Sequence, residues 1–226
     1  MEIKPIAKIY NDFPDKFGIP RQSGRIAEIT GTIVFEKEYR SESTIKEITQ
    51  FSHLWLIWGF SQNEKSGWNE TVRPPRLGGN KKIGVFASRS PFRPNPLGLS
   101  CVKLESVEKR NKNGNVLVVS GADLMNGTPI YDIKPYIPYT DCIAAAKGGF
   151  AEENKNYRAD AEISEALIKR IPADKRSILF DILRDDPRPA YQSENEKEYG
   201  FRFSDYEIKF TAKGNKIKVT DIIEQH

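Results

Sequence analysis

Along the first two thirds of the chain, apolar and polar positions alternate in short runs punctuated by Gly, Pro and Asn. "IKPIAKIY", "RIAEITGTIVF", "KIGVFAS", "LGLSCVKLESVEKR", "VLVVSGADL" and "TPIYDIKPYIPY" all read this way, and a period near two predicts strands. "HLWLIWGF" is almost wholly apolar, which predicts a strand buried on both faces. The Asn-Gly step in "NKNGN" predicts a tight hairpin turn. One short helix is expected at "STIKEITQF", where Thr44 and Glu47 have the spacing of a capping box. Short strands with hardly a helix between them argue for a mainly β unit, a small antiparallel barrel or sandwich, over residues 1–146.

The pattern changes at "AAAKGGFAEENKNYRAD", a polar, Gly-containing stretch read as a linker. Beyond it "ISEALIKRI" and "ADKRSILFDILRDD" take helical spacing, with Ile178, Leu179, Ile182 and Leu183 on one face. "YEIKFTAKGNKIKVTDII" then alternates around "KGN" and predicts a hairpin. Residues 147–226 are therefore expected to form a small α+β domain.

Composition narrows the class. With 38% hydrophobic and 11% aromatic residues among 226, the chain can build a core and is not globally disordered. A net charge of +4 tolerates a polyanionic partner without requiring one. Cys101 and Cys142 lack metal-ligand spacing, and Cys101 lies in an apolar run that reads as core. The longest apolar run is far too short to span a bilayer, and no leader-like segment follows Met1. The expectation is a soluble, cytoplasmic protein without a metal.

Several chemistries are missing from the sequence. It shows neither a Gly-x-Gly-x-x-Gly after a strand nor a Walker lysine loop. Its histidines are His53 and His226, so a His-ligated metal or a supported Ser-His-Asp triad is not expected. His53 opens the tryptophan strand and reads as a hydrogen-bonded strand-end residue. Polar residues gather instead in loops at strand ends: "PRQSG", "SQN", "VRPPRLGGNKK", "SGADLMNG" and "SRSPFRPNPLGLS". In the last, Pro91, Pro94 and Pro96 stiffen the chain around Arg89 and Arg93. Such loops suit a pocket for a polar molecule, and equally a set of well-cut structural corners.

"RPPRLGGNKKIGVFASRSPFRPNPLGLS", "DLMNGTPIYDIKPYIPY" and "DPRPAY" together resemble the TsaA-like (TrmO) family of tRNA methyltransferases. The resemblance runs across nearly the whole chain. It implies a small β-barrel carrying the cofactor site, used as a homodimer, with "DPRPAY" marking the version with an added C-terminal domain. It also implies transfer of a methyl group from S-adenosylmethionine to N6 of threonylcarbamoyladenosine beside the anticodon. Carried over residue by residue, the cofactor contacts fall on Gln22, Ser23, Gly24, Ser61, Gln62, Arg89, Leu99, Gly121, Ala122, Asp123 and Leu124. The family often has proline after the glutamine where this chain has Ser23, a small departure if that contact is through backbone.

The residues suit those roles. Arg89 offers a fork of donors for a carboxylate, Asp123 an acceptor for an ammonium or ribose, and Leu99 an apolar surface for adenine. Asp132 is the candidate base for the N6 proton, with Lys134 beside it; an ordinary strand-end ion pair is the alternative for both. Arg93, Asn95, Arg73, Arg76, Lys81 and Lys82 are candidates for contact with the tRNA anticodon loop. Tyr136 and Tyr139 are candidates for stacking an unpaired base, or half-buried barrel residues. Arg188, between two prolines, is a candidate for contact with the acceptor nucleoside or the partner subunit, or an inter-domain strut. Two other readings stay open: a non-catalytic RNA-binding barrel, and a methyltransferase of this fold with another acceptor.

Overall fold

A computed structural model of the chain describes residues 2–62, 67–74, 81–188 and 197–225. In chain order the strands are β1 (Ala7–Asn11), β2 (Thr30–Phe35), β3 (His53–Gly59), β4 (Thr71–Val72), β5 (Ile83–Gly84), β6 (Leu97–Arg110), β7 (Gly114–Ser120), β8 (Pro129–Pro135), β9 (Asp160–Glu162), β10 (Lys197–Phe203), β11 (Tyr206–Lys213) and β12 (Lys216–Glu224). The helices are α1 (Pro138–Asp141), α2 (Glu165–Ile168) and α3 (Ala173–Arg184). Contacts divide the chain into two units. One comprises residues 1–11, 21–70 and 89–145; the other comprises 12–20, 71–88 and 146–226. The second thus draws in two segments from early in the sequence.

The first unit is a closed antiparallel barrel in the order β1-β2-β7-β6-β3-β8, with β8 returning to β1 through Ala7 opposite Ile130. The short β1–β8 pairing joins the two outermost strands of this sheet. Ile9, Ile33, Leu54, Leu56, Val102, Leu117, Val119 and Ile130 fill the interior. Each fully buried side chain of this size contributes about 1.5–3 kcal/mol.

Four local expectations are corrected here. The tryptophan strand is not buried on both faces: Leu54, Leu56 and Trp58 point inward while Trp55 and Ile57 are half-buried outside. The outer tryptophan is shielded by later chain, since its Nε1 donates to Asp141 at 3.0 Å and its ring lies 5.7 Å from Tyr136. Cys101 is not core. The pairing of Leu56 with Ser100 turns Ser100 inward and leaves Cys101 on the outer face.

"STIKEITQF" forms two 3-10 turns rather than one helix, and the capping box is not made. Ser41 takes the cap, Thr44 Oγ1 turns back to the Tyr39 and Ser41 carbonyls, and Glu47 sits at φ 66. β-branched Thr44, Ile45 and Ile48 resist helix at χ1. "KIGVFAS" is no barrel strand either. Ile83–Gly84 pairs briefly with Thr71–Val72, then the chain turns over Val85–Ala87, with Ser88 donating from N and Oγ to the Val85 carbonyl.

The second unit carries a four-stranded sheet, β10-β11-β12-β9, with β9 parallel to β12. The expected hairpin is β11–β12, turned at Gly214 with φ +56. The two remaining strands went unread because β9 is three residues long and β10 lies past a charged run. "ISEALIKRI" makes only the single turn α2, capped by Ser164. α3 buries Leu179, Ile182 and Leu183, with Asp174 in its first turn and Arg184 in its last, as the helix dipole favours. Residues 12–20 lie against the sheet through Phe13, 5.7 Å from the Phe203 ring. Gly18 there has φ +98, and a Cβ on it would come within 2.6 Å of the Phe201 ring.

Candidate active site

The site arises where two neighbouring strands part. β6 is laddered to β7 from Arg110 to Lys103, and its stretch from Lys103 down to Leu97 is laddered to β3. After Ser120, at the far end of β7, the chain turns away at Gly121, which takes φ +75. The 21–24 loop enters between them. Gly24 N donates to the Gly121 carbonyl at 2.8 Å, and Ser23 Oγ accepts from Cys101 N at 3.2 Å. A Cβ on Gly121 would only touch the Gly24 backbone, at 3.4 Å, so it is the left-handed turn that calls for glycine.

Asp123 lies in this gap. Ser100 Oγ donates to its Oδ1 at 2.5 Å, and Trp58 Nε1 donates to Ser100 Oγ at 2.9 Å. Burial pushes the Asp123 carboxyl above the usual carboxylate range. Hydrogen bonds from Ser100 and from the backbone amides of Asp123 and Ser23, with the charge of Arg89, pull partly the other way. A half-buried acid held by neutral donors, with the Arg89 charge bearing on it, is a candidate to receive a further cationic or hydroxyl partner.

The neighbouring residues are placed by equally local contacts. Arg89 Nη1 donates to Gln22 Oε1, and Gln22 Nε2 donates to the Arg21 carbonyl at 2.6 Å. Ala122 and Leu124 are buried, and the Leu124 carbonyl accepts from Asn11 Nδ2 at 2.7 Å. Ser61 and Gln62 are exposed at the end of β3, with Gln62 Nε2 3.3 Å from Met125 Sδ. Leu99 is 50% exposed, an open apolar surface. The proline-rich loop is pinned at both ends, by Asn69 N to the Phe92 carbonyl at 3.2 Å and Phe60 N to the Pro96 carbonyl at 2.9 Å. Arg93 is half-buried in it and Asn95 exposed.

Asp132 shares the outer face with Leu99. Leu99 is opposite Ile57, and Ile57 is opposite Asp132, which separates the two by two strand spacings, about 10 Å. The Asp132 carboxylate is held by Ile133 N at 2.9 Å and Lys134 Nζ at 3.1 Å, with both side chains about half exposed. Tyr136 packs on Trp55 and His53, whereas Tyr139 is 90% exposed. His53 is the strand-end residue expected, with Nδ1 2.9 Å from Ser52 Oγ.

In the second unit, Arg73, Lys81 and Lys82 are exposed. Arg76, and Pro189 to Tyr191 of "DPRPAY", lie outside the described residues. Arg188 is 2% exposed. Its Nε and Nη2 grip the Asp186 carboxylate at 2.8 and 3.2 Å, and Nη2 also reaches the Gly214 carbonyl at 2.9 Å. That geometry makes it a brace inside its own unit, and a hand on the acceptor nucleoside would have to release all three bonds.

Sequence reasoning missed Ser100 and Trp58 as site residues. Ser100 ends the long proline-rich block without any residue signal of its own role, and Trp58 is absorbed into the apolar strand. Among the described residues no group of three His, Cys, Asp or Glu gathers to hold a metal ion, and no helix is long and apolar enough to cross a membrane.

Known proteins resemble this chain in sequence and fold. The model of the tRNA-methyltransferase O N-terminal domain matches residues 8–142, and that of the TrmO C-terminal domain matches 156–225. The tRNA (adenine(37)-N6)-methyltransferase of Escherichia coli K12 is 36% identical over 220 residues, 92% of each chain. A Pseudomonas aeruginosa PAO1 protein, RcsF, provisionally named an S-adenosylmethionine-dependent methyltransferase, is 36% identical over 97% of this chain and 96% of its own. The crystal structure of TrmO from Pseudomonas aeruginosa superposes with a TM-score of 0.76 at 30% identity, covering 99% of this chain and 98% of that one.

Proposed function

The chain belongs to the tRNA-methyltransferase O family, and from that premise we propose that it methylates N6 of threonylcarbamoyladenosine at position 37 of tRNA. The coarser activity is that of a tRNA adenosine-37 N6-methyltransferase using S-adenosylmethionine. The observation that carries the reading is the gap between β6 and β7, where Asp123, Ser23, Gln22 and Arg89 converge.

These residues fit the cofactor by charge and polarity. A buried acid suits its ammonium or ribose hydroxyls, a guanidinium suits its carboxylate, and exposed Leu99 suits its adenine. Gln22, Ser23, Gly24, Ser61, Gln62 and the run from Gly121 to Leu124 would line it, several through backbone groups. When bound, S-adenosylmethionine supplies a methyl group on a sulfonium, whose departure as a neutral thioether needs no acid.

The protein's contribution is then mainly alignment, because an in-line displacement is governed by geometry. The acceptor N6 lies between an adenine ring and a carbonyl, which delocalises its lone pair and makes its proton comparatively acidic. Asp132 would take that proton on a free carboxylate lone pair, since Ile133 N and Lys134 occupy others and orient the group. Lys134 would also meet the carbamoyl oxygen or the threonyl carboxylate. Arg93 and Asn95, and in the second unit Arg73, Lys81 and Lys82, would hold anticodon-loop phosphates, while open Tyr139 is better placed than packed Tyr136 to stack a base. A homodimer in the cytoplasm completes the proposal, resting on the family resemblance.

The test is methyl transfer from labelled S-adenosylmethionine to tRNA with and without the threonylcarbamoyl group. Incorporation into the modified tRNA alone is expected. Equal incorporation into both would overturn the finer acceptor and keep the position-37 activity. Light scattering in solution checks the dimer, which a monomer mass would refute.

A further inference from the structure

Resting on that cofactor reading, we propose that Ser100 is a positioning residue of the site, with Trp58 fixing its hydroxyl so that its one proton points at Asp123. Hydrogen-bond polarity sets the direction. An indole N–H only donates, whereas a hydroxyl donates one proton and accepts at its lone pairs. Trp58 Nε1 lies 2.9 Å from Ser100 Oγ, so the oxygen accepts there. Its own proton is left for Asp123 Oδ1, 2.5 Å away.

Ser100 is 1% exposed and Trp58 8%, so the hydroxyl has little access to water as an alternative partner. A protonated Asp123 donating back to Ser100 would strand the serine proton in a buried place, at a cost of about 1–3 kcal/mol. The chain from indole to hydroxyl to carboxyl therefore runs one way; it excludes a proton on Oδ1 and stabilises the ionised acid against the opposing effect of burial. An ionised Asp123 is the form that receives an ammonium or a ribose hydroxyl.

The indole is itself seated. Gly98 lies directly opposite Trp58 in the β3–β6 ladder, and a Cβ there would fall 2.3 Å from indole Cε2. Phe60 closes another side, with ring centroids 4.3 Å apart. Trp58 and Ser100 meet diagonally on the inward face of adjacent strands, a contact set by register. Around the carboxyl, β6 presents Ser100, the 21–24 loop presents the Ser23 amide, Asp123 adds its own amide, and Arg89 is the charged group that bears on it.

The decisive measurement is a carbon-13 carboxyl titration of Asp123 in the full cofactor-free chain. Ser100→Ala should raise the midpoint by about one pH unit, a tenfold change in proton affinity. Trp58→Phe should raise it less, and Ser100→Thr, which keeps the hydroxyl, should stay near the parent value. In calorimetry with S-adenosylmethionine, the acid limb of binding should move to higher pH in Ser100→Ala by the same amount. An unmoved midpoint in Ser100→Ala, or a binding loss equal at every pH, overturns the proposal. Should Ser100→Ala fail to fold, an unmoved midpoint in Trp58→Phe does the same. A parent chain that binds no S-adenosylmethionine sinks the cofactor reading instead, and the cofactor-free titration still judges the relay.

Discussion

Two carboxylates, buried Asp186 in the second unit and half-buried Asp123 in the barrel, are treated in opposite ways. Asp186 is closed on its own chain: Arg188 supplies two bonds to it, Tyr157 Oη donates at 3.0 Å, and Arg188 extends to the Gly214 carbonyl. Asp123 receives a serine hydroxyl and backbone amides, while the nearby cation, Arg89, spends Nη1 on Gln22. A buried acid matched by an internal guanidinium is architecture. One held by neutral donors, with a guanidinium that is also engaged by Gln22, can take a cationic ligand as a further partner. The difference marks the second-unit cluster as internal cohesion and leaves the barrel carboxyl as the candidate for ligand contact.

The sharpest way to break this contrast is to remove each partner in turn. Arg188→Ala leaves Asp186 buried without its guanidinium, which should cost the second unit about 3–5 kcal/mol. Denaturant unfolding reads that loss, and calorimetry should find S-adenosylmethionine affinity preserved. A stable variant with lost affinity would reverse the roles of the two acids.

Asp123→Asn should do the opposite, lowering cofactor affinity by about 2–5 kcal/mol, roughly 30-fold or more, without lowering stability. The folded Asp123 carboxyl binds its proton more readily than the unfolded one. Between the ordinary carboxylate value and the raised folded value, stability therefore falls as pH rises. Above that window the charge is a net cost, and the Asn variant should lose this slope in thermal melts taken across it.

Smaller effects sharpen the picture. Gly98→Ala would drive a methyl into the Trp58 indole, and overpacking of this kind costs about 1–3 kcal/mol. Tryptophan fluorescence and cofactor affinity should change together. Smallest of all is the Arg202–Asp15 pair of the second unit, bidentate at 2.6 and 2.9 Å yet about half exposed. The side-chain hydrogen bond from Arg202 lowers the Asp15 carboxyl. The pair's contribution is thus present above the ordinary carboxylate value and fades as pH falls through the lowered one. Arg202→Ala should shift the acid-unfolding midpoint slightly at low salt and not at high salt.

Part of this could be read from residues alone. Alternation in "TGTIVF" and "KIKVTDII" encodes which side chains must share a face, since successive residues of a strand point to opposite sides. The glycines and serine of "PRQSG" and "SGADL" marked the loops that meet in the gap. What failed is equally instructive. "KIGVFAS" has strand residues but turns after two, because its partner Thr71–Val72 is just as short. Arg188 looked available between its prolines, and only the fold revealed Asp186 waiting for it.

Residue patterns alone thus imply a strand-rich barrel, an α+β part, the family and the polar loops, but not that residues 12–20 and 71–88 belong with the second unit. Those signals are local, written in periods of two or 3.6 residues and in motif spacing. The tertiary structure alone decided that Ser100 faces inward and Cys101 outward, that β6 parts from β7 beyond Lys103, and that Trp58 orients a hydroxyl toward Asp123. Each depends on register between strands some 40 residues apart or on closure of the barrel, and a slip of one residue would send every one of those side chains to the other face.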